Sequence, residues 1–300
     1  MSKFQSLDLG LVVRGHGRHY IVEDADGHRI VCHPRGKKSD AVVGDQVRFA
    51  ESGDEGVIEA VEPRRNLLFR QDEWKTKSFA ANLDQLLVLV AVEPVFSESQ
   101  LARALIAAES ASIRAAIALN KIDLPGTDAA RERLAPYKAM GLKMFEVALR
   151  ADREGSCATL QPWLQDQRTF VLGPSGTGKS TLINLLVDNA QAQVGEISQA
   201  LNSGRHTTTT TQWYWTDDTR TTALIDSPGF QEFGLRQIVA ADLWRFMPDL
   251  REHANCRFSN CTHIHEPDCG VQKAVQAGQI SPNRYRIYGE ILEELQRKTW

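Results

Sequence analysis

Along the first part of the chain, apolar and polar residues alternate in short runs separated by turn residues. Such alternation is typical of half-buried β-strands, and the Asp-Gly and Gly-Asp pairs between the runs are typical of tight turns. The runs are LGLVVRG (9–15), HYIVE (19–23), HRIVCH (28–33), QVRFA (46–50) and GVIEAVEP (56–63). Five strands without a helical period predict a small closed β-barrel over residues 1–75, either of the oligonucleotide-binding (OB) type or SH3-like.

The segment 63–77 is rich in cations with aromatic rings between them. It carries Arg64, Arg65, Arg70, Lys75 and Lys77, together with Phe69 and Trp74. Cations suit RNA phosphates, and aromatic rings can stack on bases. The segment is therefore either an RNA-binding extension of the barrel or a solvated linker, and the pattern leaves both interpretations open.

From residue 84 onward, strand patterns alternate with helical ones. The run DQLLVLVAVEP (84–94) is continuously apolar, as in a strand buried on both faces, and Ser97 is a suitable N-cap for a following helix. Further strands are predicted at 113–120, 142–149, 168–173 and 221–225, and further helices at 127–141 and before Trp163. Pro136 is expected to kink or split the helix at 127–141. The alternation predicts an α/β domain with a parallel sheet over residues 76–235.

Beyond residue 235 the strand patterns stop. IVAADLWRF (238–246) and YRIYGEILEELQRK (285–298) have the apolar spacing of helices. Three of the five cysteines lie between residues 256 and 269, near several histidines. In a reducing compartment such a cluster favours a metal site over a disulfide framework. We therefore expect a helical metal-binding module over residues 236–300.

Composition excludes some classes of protein. With 42% hydrophobic and 24% charged residues, the chain resembles an ordinary soluble protein of several domains. No run of eighteen apolar residues and no apolar leader occurs, so we expect a cytoplasmic protein, a monomer without a membrane partner. The net charge is only −3, so any nucleic acid must be bound by local basic patches. Cys32 and Cys157 stand alone in apolar contexts and are expected in the core.

The strongest motif is GPSGTGKS (173–180), between a predicted strand and a predicted helix. It fits the P-loop pattern, in which glycines let backbone N–H groups surround the phosphates at a helix N-terminus. Lys179 is expected to reach the β- and γ-phosphates, and the Ser180 hydroxyl to ligate Mg²⁺. The candidate phosphate-binding residues are Gly173, Ser175, Gly176, Thr177, Gly178, Lys179, Ser180 and Thr181.

A second motif, Asn120-Lys121-Ile122-Asp123, closes a predicted strand. Open α/β sheets bind ligands at the carboxyl ends of their strands. A carboxylate at Asp123 can accept hydrogen bonds from both N1–H and the 2-amino group of guanine, whereas adenine offers no such donor pair. Asn120 would tie this loop to the P-loop, and the stem of Lys121 can cover the base. The motif predicts a guanine-binding loop.

The third motif is Asp226-Ser-Pro-Gly229, after another predicted strand. Its carboxylate suits the outer coordination of Mg²⁺, and the N–H of Gly229 can meet a γ-phosphate. Between it and the P-loop lies GRHTTTTT (204–211), of which one threonine is expected to ligate Mg²⁺ in the triphosphate state. We favour Thr208, and the choice among 207, 208 and 209 stays open.

The order of these motifs is unusual, because other GTPases have the guanine-binding motif last. With a barrel before and a Cys-His cluster after, the chain resembles, over essentially its whole length, the circularly permuted GTPases that depend on the small ribosomal subunit. The matching segments are NLDQLLVLVAVEP, NKID, GPSGTGKS, GEIS (195–198), GRHTTT, DSPG and CRFSNCTHIHEPDCGV. The resemblance implies a GTP-hydrolysing factor that acts late in maturation of the small (30S) subunit, with GTP/GDP, Mg²⁺, one structural Zn²⁺ and ribosomal RNA as its ligands and partners.

Two positions depart from the pattern of these GTPases. The Ser-Ala element expected beside guanine reads Ala148-Leu149, although that contact is usually made by a backbone N–H. Phe230 follows Gly229, where many GTPases have a glutamine that positions water. An apolar ring cannot orient water, so slow intrinsic hydrolysis is expected, with another group supplying the polarity. His206 is the candidate, and the alternative is a structural loop histidine.

The C-terminal cluster has the spacing Cys256-x4-Cys261-x-His263-x5-Cys269. Three thiolates and one imidazole form a closed tetrahedral set of the structural zinc type. His253 and His265 are alternative ligands, and the resemblance favours His263. Because DSPG leads almost directly into this module, movement at the γ-phosphate could reposition it. Arg251, Arg257 and Lys273 are candidate contacts to RNA phosphates.

Three classes of function can be compared with these motifs. The first is a GTPase that times small-subunit maturation. The second is an RNA-binding scaffold with a degenerate nucleotide site, against which the intact Lys179, Ser180 and Asp226 argue. The third is a P-loop kinase, which would have no reason to carry Asn120-Lys-Ile-Asp123.

Overall fold

The computed structural model describes residues 7–36, 40–71, 76–187, 211–227 and 235–297. Within these ranges, no helix is both long enough and apolar enough to cross a membrane.

The N-terminal strands close into a barrel. They are β1 (Asp8–His16), β2 (His19–Glu23), β3 (Arg29–Pro34), β4 (Gln46–Ser52) and β5 (Glu55–Val61). They pair in the order β1-β2-β3-β5-β4, and β4 pairs back onto β1, with β3 and β5 parallel. The barrel has its own core, which includes Val12, Cys32, Val47 and Phe49. The predicted five-stranded barrel is confirmed, and its strand order is that of an OB fold.

Part of the cationic segment after the barrel is built into the fold, and its role in binding RNA stays a prediction. Strands β6 (Leu67–Gln71) and β7 (Thr76–Ala81) form an antiparallel hairpin. Leu68 is 1% exposed, and Arg64 forms two 2.8 Å hydrogen bonds with the buried carboxylate of Asp45. This Arg64–Asp45 pair fastens the hairpin to the loop before β4.

The central sheet confirms the α/β prediction. Its strands are β8 (Gln85–Ala91), β9 (Arg114–Asn120), β10 (Lys143–Val147), β11 (Arg168–Leu172), β12 (Gln212–Trp215) and β13 (Ala223–Asp226). The order is β10-β9-β8-β11-β13-β12, and every neighbouring pair is parallel except β13 and β12. The carboxyl ends of β9, β11 and β13 therefore meet at one edge, although the chain visits them in permuted order.

Among the described residues, four helices of this domain cover the sheet. They are α1 (Glu98–Ser110), α2 (Thr127–Ala139), α3 (Arg153–Leu164) and α4 (Lys179–Leu186). Ser97 caps α1 as predicted, because its side chain accepts a hydrogen bond from the N–H of Gln100. The expected split at Pro136 is wrong, since α2 runs through Pro136 as one helix, and the kink stays a prediction. Pro136 lies in the last turn, so the distortion that a proline causes redirects only the few helical residues that follow it.

The barrel and the central sheet are continuous through one strand pair. Arg14 of β1 pairs with Gln212 of β12, which joins the two into an eleven-stranded sheet. A second link lies beside it, since the indole N–H of Trp215 donates to Glu23 at 2.7 Å. The barrel is thus docked on the edge strand that leads out of the threonine run.

The C-terminal part is helical and shares the core of the central sheet. It contains a 3₁₀ helix (Ala240–Phe246) and three α-helices, α5 (Pro248–Glu252), α6 (Gly270–Gln276) and α7 (Pro282–Arg297). Arg284, 2% exposed, forms a bidentate ion pair with Asp249 and lies 5.1 Å from the ring centre of Tyr137 on α2. One hydrophobic cluster runs from the face of the sheet covered by α1 and α2 into these helices. The boundaries at residues 75 and 235 stay predictions.

Candidate nucleotide and metal sites

The predicted phosphate loop lies between β11 and α4, at the carboxyl edge of the sheet. Gly176 and Gly178 have φ angles of 81° and 108°, which favour glycine. A Cβ atom on Gly173 would lie 2.3 Å from the carbonyl oxygen of Leu89, so that position also requires glycine. Thr177 is buried and its hydroxyl donates to the carbonyl of Pro174 at 2.8 Å. The loop therefore has the backbone shape that its sequence predicts.

The open side of this loop carries the remaining predicted phosphate-binding residues. Ser175, Gly176 and Ser180 are exposed, and Thr181 is half-buried in the first turn of α4. The first N–H groups of a helix have no partner within the helix, so they are available to an anion. Ser180 is placed where its hydroxyl can reach a cation bound beside such an anion.

Lys179 and Asp226 form the charged centre of this edge. The Nζ of Lys179 donates to the carbonyl of Gly173 at 3.0 Å, and burial lowers the pKa of Lys179 while Asp226 raises it. Asp226 ends β13 and is 8% exposed. Burial raises the pKa of Asp226 to about 6, against the lowering effects of Lys179 and of the Ser227 N–H.

The Oδ1 atom of Asp226 is buried and has no hydrogen-bond partner among the described residues. A buried carboxylate oxygen without a donor is costly unless a cation or a bound water compensates it. Together with the exposed hydroxyl of Ser180, this orphaned oxygen fits a hydrated Mg²⁺ ion, which prefers oxygen ligands and keeps several waters.

Asn120 connects the second predicted loop to the first. It is 3% exposed at the end of β9, and its Nδ2 donates to the carbonyl of Thr177 at 2.8 Å. Its Oδ1 accepts from the N–H of Leu149 at 3.0 Å. A Cβ atom on Gly178 would lie 2.4 Å from the Asn120 amide. One buried side chain thus holds three loops at the carboxyl edge together.

Lys121 and Asp123 lie on the open side of the same loop. Lys121 adopts a φ of 65°, and its Nζ donates to the carbonyl of Glu93 at 2.6 Å. The carboxylate of Asp123 is exposed and can accept hydrogen bonds from a ligand. Thr127, the first residue of α2, stabilises the loop, because its buried hydroxyl donates to the carbonyl of Leu124 at 2.8 Å. Thr127 was not predicted from the sequence, where it is an ordinary first residue of a helix.

The element Ala148-Leu149 uses both of its N–H groups inside the protein. The N–H of Ala148 donates to the hydroxyl of Ser156 at 3.1 Å, and that of Leu149 donates to Asn120. Ser156, 2% exposed on α3, is a second supporting residue that no sequence pattern indicated. Although Ala148-Leu149 replaces the expected Ser-Ala element, hydrogen bonds still anchor the backbone at this position.

Several predicted residues lie outside the described residues. These are His206, Thr208 with its alternatives Thr207 and Thr209, and the pair Gly229 and Phe230. Their roles stay predictions.

The four predicted metal ligands converge in the C-terminal part. The ligand atoms of Cys256, Cys261, His263 and Cys269 all lie within 4.8 Å of one another. The Nδ1 atom of His263 is 3.3 Å from the sulfur of Cys256 and 3.5 Å from that of Cys269, and those two sulfurs are 3.7 Å apart. Bonds of about 2.3 Å from a tetrahedral zinc ion would place sulfurs about 3.8 Å apart, so the set fits zinc. The alternatives His253 and His265 are not in the cluster.

The ligand loop is held by its own hydrogen bonds. Glu266 accepts hydrogen bonds from the N–H and the hydroxyl of Thr262, at 2.8 and 2.7 Å. Burial alone would raise the pKa of Glu266, but these and other hydrogen bonds to its carboxylate lower the pKa to about 2. The phenol groups of Tyr285 and Tyr288 on α7 donate to the carbonyls of His263 and Thr262. Burial raises the pKa of the Cys261 thiol, and a bound cation would stabilise its thiolate form.

The three candidate RNA-binding cations near this cluster already have acidic partners. Arg257 and Lys273 both pair with Asp268, at 3.7 and 3.2 Å, and Arg251 pairs with Glu109 at 2.7 Å. In all three ion pairs both side chains are at least 40% exposed, so these contacts are weak and can be exchanged for phosphates.

Comparison with known proteins agrees with this geometry. The profile of the RsgA GTPase family matches residues 61–236, which is more than half of the chain. A protein of Variovorax paradoxus (strain S110) named small ribosomal subunit biogenesis GTPase RsgA is 60% identical over 297 residues, covering 97% of this chain and 93% of the relative. A protein of the same name from Burkholderia pseudomallei (strain K96243) is 51% identical, covering 95% and 91%.

Solved structures with the same fold include two similar chains. The crystal structure of YjeQ from Thermotoga maritima superimposes with a TM-score of 0.72 at 29% identity, covering 97% of this chain and 99% of that one. The structure of YloQ, described as a circularly permuted GTPase, gives 0.70 at 26% identity and covers 100% and 99%. The extent of these matches and the permuted motifs at one sheet edge show that this chain belongs to the RsgA GTPase family of GTP-hydrolysing enzymes.

Proposed function

We propose that this protein binds the small ribosomal subunit, hydrolyses GTP to GDP and phosphate there, and acts as a late-stage assembly factor of that subunit. The observation that carries the nucleotide part is the 2.8 Å hydrogen bond from Asn120 to the P-loop carbonyl of Thr177. It joins the guanine-binding and phosphate-binding loops, which the chain carries in permuted order. The ribosomal part is supported by the name that relatives at 51% and 60% identity carry.

In this proposal, different residues bind the base, the phosphates and the metal ion. Asp123 accepts from N1–H and the 2-amino group of guanine, and Lys121 covers the base. The N–H groups of 173–181 surround the phosphates, and Lys179 neutralises the β- and γ-phosphates. Ser180 and one threonine of the run, preferably Thr208, would hold Mg²⁺, which would supply positive charge beside the phosphates. Asp226 would support that ion from its outer coordination, and the N–H of Gly229 would meet the γ-phosphate.

The proposal also gives the Cys-His cluster a structural zinc ion. Four protein ligands leave no open coordination position, so the ion would brace the fold and take no part in hydrolysis. The barrel, with its OB strand order, and the exposed cations near the cluster are the surfaces offered to ribosomal RNA.

The alternative functions fit the observations less well. A kinase needs a site for a phosphate acceptor and has no use for a guanine-reading loop. A scaffold with a degenerate nucleotide site would not need Lys179, Ser180 and Asp226 to converge at one edge. Both alternatives predict that small subunits leave GTP hydrolysis unchanged.

Small ribosomal subunits are expected to raise the rate of GTP hydrolysis by well over tenfold, about 1.4 kcal/mol of barrier per decade. The reason is that Phe230 cannot orient water, so the unaided enzyme is slow. His206→Ala should remove most of the stimulation while GTP still binds, because a group that acts in the transition state contributes little to ground-state binding.

The measurement is steady-state phosphate release with small subunits, with large subunits and with neither. Equal rates in all three conditions would reject the ribosomal role. Stimulation that survives intact in His206→Ala would assign the catalytic group elsewhere.

A further inference from the structure

A row of polar side chains crosses the seam between the barrel and the central sheet. Arg14 of β1 pairs with Gln212 of β12, and Gln212 pairs with Asp226 of β13. Residues directly opposite each other on neighbouring strands present their side chains to the same face. Val171, which pairs with Asp226, lies in the core between the sheet and helices α3 and α4. The row therefore lies on the face that carries the P-loop helix.

A β-bulge directs Arg14 to this face. The pairing of β1 with β2 shifts between Val12 and Arg14, so that Val13 is an extra residue. Val12 packs in the core of the barrel, whereas Val13 packs in the cluster on the opposite face of the central sheet. Arg14 follows on the nucleotide-binding face. The bulge thus places one barrel side chain within the GTPase domain.

Arg14 is poorly explained as a stabilising residue. Its Nε and Nη1 atoms, and the Nε2 atom of Gln212, are buried and have no hydrogen-bond partner among the described residues. Gln212 is 2% exposed. Arg14 as a whole is half-buried, and removing two guanidinium nitrogens from water without partners opposes folding, because they lose hydration without compensation. Such a group is expected where function requires it.

The charges around Asp226 show what Arg14 can act on. Lys179 approaches the carboxylate from α4, and Tyr214 lies two residues beyond Gln212 on the same face of β12. Burial raises the pKa of Tyr214 to about 12, with Asp226 raising it further and Arg14 opposing, so Tyr214 lies within the fields of both charges. Lys179 thus acts on Asp226 from α4, and Arg14 acts on Tyr214 from β1, so two cations lie on the face of the sheet that carries the phosphate loop.

We propose that Arg14 is a positioning residue for GTP hydrolysis, whose positive charge holds β12 beside β13 and thereby keeps Asp226 in its catalytic position. The docked barrel thereby completes the GTPase site, and displacement of β1 by a partner would change the rate of hydrolysis. The inference rests on the proposed function, since it names a regulator of the same site.

The test compares three replacements of Arg14 in the full-length chain. Arg14→Met and Arg14→Gln remove the charge, and Arg14→Lys keeps it. Arg35→Met is the matched control, because Arg35 is a barrel arginine that is 75% exposed and pairs only with Glu59 among the contacts described. Single-turnover GTP cleavage, with and without small subunits, and the dissociation constant of GDP are measured for each.

Arg14→Met and Arg14→Gln are expected to slow cleavage at saturating GTP by about tenfold or more, with GDP affinity within about threefold of the parent. Arg14→Lys should recover most of the rate, and Arg35→Met should match the parent without subunits. If Arg14→Met does not fold, Arg14→Gln decides. Unchanged cleavage in the neutral variants, an equal loss in Arg14→Lys, or a loss confined to nucleotide affinity would each overturn the inference. A parent protein that cleaves no GTP in either condition would instead refute the proposed function.

Discussion

Replacing Lys179 by alanine is expected to lower the rate of GTP hydrolysis on the order of a thousandfold, with or without ribosomal subunits. The ammonium group is held between the carbonyl of Gly173 and the charge of Asp226, in a site where burial already lowers its pKa. Because water screens charges poorly there, its attraction for the γ-phosphate is stronger than at a surface. No neighbouring cation on the P-loop replaces it, since residues 173–181 contain no other lysine or arginine.

The matched control is Lys138→Ala, which removes an exposed lysine from α2. It is expected to hydrolyse GTP at the parent rate. Phosphate release from the Lys179→Ala protein within about threefold of the parent rate would show that the P-loop is not the catalytic phosphate site.

Removal of the metal is expected to unfold the C-terminal helices. Structural zinc contributes on the order of 10 kcal/mol in small zinc domains, because binding and folding are coupled. Here Cys261 and Cys269 belong to the same hydrophobic cluster as Leu243, Met247 and Tyr288. Loss of the ligand set therefore exposes part of a core that also packs on α1 and α2. We expect about one zinc ion per chain in the parent and a large fall in melting temperature in Cys261→Ala.

Cys157→Ala is the control for this experiment. Cys157 is a half-buried thiol on α3, outside the cluster, and its loss should leave zinc content and melting temperature close to the parent values. Nucleotide affinity should stay nearly intact in Cys261→Ala, because no cluster ligand lies at the carboxyl edge of the sheet. A fully folded chain without metal would contradict the zinc assignment.

The parts of the molecule that sequence predicts well are those with local signals. The barrel strands alternate and end in turn residues, and the P-loop and the Asn120 loop each lie within a few consecutive residues. The Cys-His spacing likewise predicts a metal site, and the family resemblance selects His263 among three candidate histidines, in agreement with the structure. The family resemblance joined these local pieces into one architecture.

The features that sequence missed depend on distant partners. The hairpin β6–β7 was obscured by its interleaved cations, and the role of Arg64 becomes clear only beside Asp45, nineteen residues away. Ser156 and Thr127 support the nucleotide-binding loops through side-chain hydrogen bonds to the backbone, which leave no pattern in the sequence. Helix α2 tolerates Pro136 because of its place in the last turn.

The junction between barrel and sheet could not be predicted for a related reason. Strand β12 is only four residues long and follows a threonine run, so no periodicity identifies it. The bulge that places Arg14 opposite Gln212 depends on the pairing of β1 with β2 and β12 together. Sequence patterns therefore do not predict the contacts between the barrel and the central sheet.

The central claim is that the permuted loops form one guanine-specific site, and the most direct test is the affinity for GTP, ATP and xanthosine triphosphate. The parent should bind GTP about a hundredfold or more tighter than ATP, since Asp123 accepts two hydrogen bonds that adenine cannot donate. Asp123→Asn should weaken GTP by a similar factor and improve xanthosine triphosphate, because the donor and acceptor at that edge are exchanged. Asp128→Asn, at a carboxylate that is 91% exposed on α2, should bind all three nucleotides as the parent does. Equal affinity of the parent for GTP and ATP would contradict the account.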